Sequence, residues 1–190
     1  MWWAQLLNVI AGIHGTGIAA ATNSYESIAT VLVGSGGASD ITFSSIPSTY
    51  KHLQIRYIGR NTSTSLDVYA QFNADTGNNY RSHYLTGDGS SASAGDIGVQ
   101  AFWNGGYTSG SNQSANVFGA AVIDILDYTN TNKNTVTRTL TGWDNNGSGQ
   151  LVLYSGLWRN TAAVTSIKLY KPPSGTWAQH SQFALYGIKG

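Results

Sequence analysis

Nine acidic residues, four histidines and no cysteine are the groups with which this chain of 190 residues could do acid–base, metal or nucleophilic chemistry. Their spacing offers little. Without cysteine there is no thiolate nucleophile, no thiolate metal site and no disulfide. No serine stands in a Gly-x-Ser-x-Gly elbow. His14, His52, His83 and His180 are scattered, and none belongs to a His-Glu-x-x-His pair. Asp124 and Asp127 lie close together in IDILDY, but on a strand they point to opposite faces and form no glycosidase-type acid/base pair. Asp67, Asp75, Asp88 and Asp96 fall in or near loops. The GDGSS stretch (87–91) lacks the alternating aspartates and closing glutamate of a calcium loop. Gly34-Ser35-Gly36-Gly37 is followed by no Lys-Ser/Thr and reads as a turn, not a phosphate cradle. The sequons at Asn61, Asn112 and Asn146 are what chance supplies in a chain so rich in Asn, Ser and Thr. The expectation is a protein that is no enzyme and has no metal or cofactor.

Aromatic residues are the other candidates, at 12% of the chain. Tyr80, Tyr84, Trp103, Tyr107 and Trp177 sit among Gly, Ser and Asn. Exposed rings in such loops stack on sugars or anchor protein interfaces. These five are the expected contacts to a receptor or partner, with the alternative that they cap the ends of the fold.

The elements that would position these groups are strands. The segments 27–33, 40–43, 52–58, 66–72, 99–103, 136–143, 150–158, 164–170 and 182–188 read as strands separated by turn residues. Asn116–Tyr128 (NVFGAAVIDILDY) is the most apolar segment and reads as a buried central strand. The polar stretch 73–98 offers at most one irregular strand. This spacing predicts an all-β antiparallel sandwich, in the form of a jelly roll, over 25–190.

The first fifteen residues differ. Trp2, Trp3, Leu6, Leu7, Val9, Ile10 and Ile13 would form the apolar surface of a short helix, stopped by Gly12, Gly15 and Gly17. So short a helix is not stable alone and needs a groove or sister copies. Residues 16–24 read as a flexible linker. No Lys or Arg precedes the apolar run, which argues against a signal peptide, and the run is too short to span a bilayer. Only 10% of residues are charged, the net charge is +1, and no basic stripe marks a nucleic-acid binder.

Several long segments resemble a widespread family of small virion proteins of tailed bacteriophages, common in aquatic phages. They are SYESIATVLVGSGGASDITFSSIPSTYKHLQIR (24–56), QFNADTGNNY (71–80), IDILDYTNTNK (123–133), GLWRNTAAVTSI (156–167) and FALYGIKG (183–190). The resemblance implies a structural protein of the virion, assembled in the host bacterial cytoplasm, and brings no catalytic residue with it. Together with the pattern above it gives the functional expectation. The chain is a homotrimer on the particle surface, attached to other virion proteins through its apolar N-terminal segment, as a capsid decoration or cement protein. The alternative is a tail-tip or tail-fibre protein contacting a host-surface glycan or protein.

Overall fold

The computed structural model describes residues 24–172 and 175–190, and the chain there is all-β. The strands are β1 (Tyr25–Leu32), β2 (Asp40–Phe43), β3 (His52–Gly59), β4 (Asp67–Phe72), β5 (Tyr80–Gly87), β6 (Ala92–Gln100), β7 (Trp103–Tyr107), β8 (Gly119–Leu126), β9 (Thr135–Asp144), β10 (Gly149–Trp158), β11 (Ile167–Tyr170) and β12 (Gln182–Ile188). An eight-stranded sheet in the order β1-β12-β3-β8-β9-β10-β5-β6 packs on a four-stranded sheet in the order β2-β11-β4-β7. All ladders are antiparallel, so the expected antiparallel sandwich is formed. The expected anchor (1–15), with Trp2, Trp3, Leu6, Leu7, Val9, Ile10 and Ile13, and all of the linker but Ser24 lie outside the described residues.

The large sheet has two halves of different origin. In β1-β12-β3-β8, the framework half, chain-neighbouring strands lie in opposite sheets: β1 is followed by β2 of the small sheet, β3 by β4, and β11 precedes β12. The other half, β9-β10-β5-β6, is made of two hairpins, one inserted between β4 and β7 and one between β8 and β11. They join through the β10–β5 ladder.

Alternation sets the core. Leu53, Ile55 and Tyr57 of β3, Ile123 and Ile125 of β8, and Phe183 and Leu185 of β12 face inward. They meet Ile41 and Phe43 of β2, Val68, Ala70 and Phe72 of β4, and Ile167 and Leu169 of β11. Two readings from sequence are corrected. The apolar segment 116–128 is central in the large sheet, but within β8 only Gly119, Ala121, Ile123 and Ile125 are inside, with Tyr128 beyond its end; Val122 reaches solvent because β8 is covered on one face alone. The polar stretch 73–98 is not one irregular strand but most of the β5–β6 hairpin, whose Gly, Ser and Ala content hid its pairing.

Candidate functional site

The long motifs that mark the sequence hold the fold together. In QFNADTGNNY, Asn73 takes a left-handed φ of 51° and its Oδ1 accepts from the Thr165 and Ser166 N–H groups at 2.8 and 3.1 Å. Asp75 Oδ2 accepts from the Trp158 indole N–H at 2.7 Å. Trp158 belongs to GLWRNTAAVTSI, as does Arg159, which donates to the Asn78 carbonyl at 2.7 Å. Two segments eighty residues apart are thus one knot at the end of the sandwich. Its carboxylate is held below the ordinary range: burial alone would raise it, and the bonds from Trp158, Asn79 and Gly77 outweigh that.

IDILDYTNTNK is knotted likewise. β8 ends at Leu126, so strand alternation does not describe Asp127, which sits in the following turn at φ 48°. Its carboxylate pairs with Lys133 and, at 3.0 Å, with Lys51, and these bonds depress its pKa to about 2. Its backbone N–H donates to His52 Nδ1 at 2.9 Å. Asp124, on the outer face of β8, accepts from Gln54 at 2.8 Å. In GDGSS, Asp88 Oδ1 accepts from the Ser90 and Ser91 N–H groups at 2.9 and 2.7 Å, which hold the carboxyl far below its usual range and make the stretch a tight turn. His83 and His180 are exposed. Among the described residues no group of three or more His, Cys, Asp or Glu lies close enough to hold a metal ion.

Three of the five aromatics expected at the surface are in the core. Tyr80, Trp103 and Trp177 are each at most 1% exposed. Tyr80 stacks on Trp158 and its hydroxyl lies 3.0 Å from the Phe72 N–H. Trp103 stacks on Phe72, and Trp177 packs against Tyr57 and Phe183 under the ammonium of Lys171. Tyr80 follows a polar turn, whereas Asn104, Gly105 and Gly106 after Trp103 are themselves buried residues of β7. Tyr84 and Tyr107 are half-buried, both against Tyr154. The rings that do reach the outer face of the small sheet are Tyr69, Phe102 and Tyr170. Tyr69 stacks on Phe102 at 3.8 Å and meets Tyr170 edge-on, and Lys168 lies over Tyr170 beside Asp40.

The outer face of the large sheet departs most from a soluble sandwich. The ladders align one row as Ala184, Arg56, Val122, Leu140, Leu153, Leu85 and Ala94 across seven strands. The adjacent row runs Gln182, Ile58, Ala120, Gly142, Leu151, Gly87 and Ala92. Leu151 is 60% exposed, Leu85 55%, Leu140 51%, Ile58 48%, Leu153 47% and Val122 39%. The small residues Ala120 and Gly142 leave a shallow depression of about 420 Å³ among them. Beneath, the same strand is polar: Thr135, Thr137, Thr139 and Thr141 of β9 are buried. Thr141 accepts from the Tyr107 N–H at 3.0 Å, whereas the hydroxyls of Thr137 and Thr139 have no partner.

A half-exposed aliphatic side chain forgoes about 1 kcal/mol relative to full burial, so six of them forgo about 6 kcal/mol. Contiguous apolar surface of this kind marks an interaction site. Sequence reading missed it because alternation names the two faces of a strand without saying which lies inside. One signal was available: Val136, Arg138 and Leu140 alternate with four threonines, and neither set is the obvious core face. A second feature lies at the end of this face, an open depression of about 580 Å³ lined by Asp88, Phe118, Trp143, Asp144 and Gln150 among others. The buried indole N–H of Trp143 has no partner. Compared with known proteins, the chain matches no family model, no curated protein and no solved structure.

Proposed function

We propose that this chain is a non-enzymatic structural protein of a tailed-phage virion, carried in many copies on the particle as a capsid decoration or cement protein. The observation that carries the reading is the aliphatic outer face of the large sheet, which a lone soluble domain has no use for and an assembled one has. Two further features support it. The resembling motifs knot the fold instead of building a reaction centre. And β1-β12-β3-β8 against β2-β11-β4-β7 supports the jelly-roll expectation, with two hairpins inserted, an architecture frequent in capsid domains. The threefold expectation rests on analogy between folds alone, while self-association through this face stands on residues. Attachment to the particle is assigned to the apolar segment 1–15.

Deleting residues 1–15 tests the attachment. The shortened protein is expected to fold, judged by an unchanged far-ultraviolet spectrum and thermal transition, and to be missing from purified particles. Incorporation at the level of the full chain would overturn the attachment. The second reading, a tail-tip protein that contacts host glycan, is favoured by the depression around Trp143, where an indole, two carboxylates and an amide could meet a sugar. Saccharide-induced quenching of tryptophan fluorescence, abolished by Trp143→Ala, would be its signature.

A further inference from the structure

We infer that the aliphatic outer face of the large sheet docks a second copy of this chain across a two-fold axis lying between β8 and β9, parallel to the strands. The inference rests on the reading of that face as an assembly surface and adds its partner and symmetry.

Strand register carries it. A two-fold axis in the plane of the face, running along the strands, maps β8 onto β9, β3 onto β10 and β12 onto β5, and keeps each row opposite itself. In the first apolar row Val122 then meets the partner's Leu140, and Ala184 meets the partner's Leu85. In the second, Ile58 meets the partner's Leu151, and Ala120 meets the partner's Gly142, so the centre is small enough for two sheets to approach. The next row is polar, running Tyr186, Gln54, Asp124, Arg138, Ser155 and His83. Here the same axis places Asp124 opposite the partner's Arg138, and Arg138 opposite the partner's Asp124. Self-complementary charge beside self-complementary apolar rows is what an isologous interface requires.

Arg56 is the cation that could spoil the apolar row, and it is turned aside. Its Nε donates to Gln54 Oε1 at 2.7 Å, and its guanidinium lies 5.5 Å from the Tyr25 ring and 5.3 Å from the Tyr186 ring, toward the framework edge. Only its alkyl stem is left over the row. The sheet edges are poor alternatives for pairing. β1 carries an irregularity between Ser27 and Ala29, and the β5–β6 ladder another at Ser82/His83. Such bulges discourage edge-to-edge addition.

Two charge reversals test the axis, measured by sedimentation of the full chain at tens of micromolar. The wild type is expected to sediment as a dimer. Asp124→Arg and Arg138→Asp each set like charges opposite one another twice per dimer, and each alone is expected to associate at least tenfold more weakly. An equimolar mixture of the two variants is expected to dimerise again, because two cations of one protomer then face two anions of the other. An intrachain role for the Asp124–Arg138 neighbours cannot produce that recovery, and the recovery itself shows both variants folded. A monomeric wild type, including one whose face is covered by its own residues 1–23, would overturn the inference. So would a wild-type trimer, or a mixture no better than its components. None of these results touches particle incorporation, which the deletion of residues 1–15 reads separately.

Discussion

β3 and β9, one from each half of the large sheet, use the same pleat in opposite senses. In the framework half, β3 and β12 put Leu53, Ile55, Tyr57, Phe183 and Leu185 inside and Gln54, Arg56 and Tyr186 on the outer face. In the hairpin half, β9 puts four threonines inside and Val136, Arg138 and Leu140 outside, while Leu151 and Leu153 of β10 join them. The framework half satisfies the apolar need of a domain within one chain. The hairpin half buries Tyr80, Val152, Tyr154 and Trp158 as well, but leaves the aliphatic side chains of β9 and Leu151 and Leu153 of β10 outside and two hydroxyls unmet within it. The inserted strands therefore do two things: β5 and β10 extend the core with Tyr80, Tyr154 and Trp158, and β9 and β10 present an aliphatic surface.

Side-chain truncation should separate the halves most sharply. Ile55→Ala, at a fully buried site, is expected to cost about 3 to 4 kcal/mol in denaturant unfolding. Equal costs for Ile55→Ala and Leu140→Ala in the dissociated chain would erase the contrast. Asp75→Ala strands the Trp158 indole N–H where the β5–β10 pair meets the loop before it, and should cost about 2 kcal/mol. A cost near zero would show that the knot between the two motifs is ornamental.

Titration probes a buried cation just past β11 of the small sheet. Lys171 is buried beside Trp177 and Asp67, its ammonium donating to the Asp67 carbonyl at 2.5 Å. Burial lowers its pKa to about 7, and burial raises that of Asp67. Between pH 7 and the ordinary lysine range the unfolded chain therefore holds a proton that the folded chain has lost, so Lys171 makes stability rise across that window. Above about pH 10 the buried hydroxyls of Tyr57 and Tyr154, both pushed upward by burial, reverse the slope. Thermal melts of Lys171→Met should be flatter from pH 7 to 10 than those of the wild type; identical slopes would remove Lys171 as the cause.

The smallest effects belong to the hairpin half. Thr139→Val replaces a partnerless buried hydroxyl with a methyl group and should be neutral or stabilising by up to about 1 kcal/mol. Leu140→Ala on the outer face should change the stability of the dissociated chain by less than about 0.5 kcal/mol. A substantial loss from Thr139→Val would mean that the threonine ladder is the true core of this half.

Much of the framework was legible in the sequence. β2 and β12 begin and end where turn residues and alternation put them, and β3 ends one residue later, because these short strands are bounded by Pro, Gly and Ser and carry apolar residues on one face. The β5–β6 hairpin was not legible, since ASAGDIGVQ has only Ile97 and Val99 as branched residues and no two-residue turn to announce it. The aromatics misled for a related reason: Tyr80, Trp103 and Trp177 have the polar neighbours of loop residues, and only the folded chain shows the rings turned inward. The aliphatic face was hidden deepest. It is spread over β3, β8, β9, β10 and β5, and becomes a surface only when their registers align.

The copy number of this protein in purified particles, measured by quantitative mass spectrometry against the major capsid protein, tests the proposed role most directly. Between about one-third and one copy per capsid subunit is the expected result. A few tens of copies or fewer would move the protein to the tail and favour the glycan-contact reading, and absence from the particle would overturn the virion role altogether.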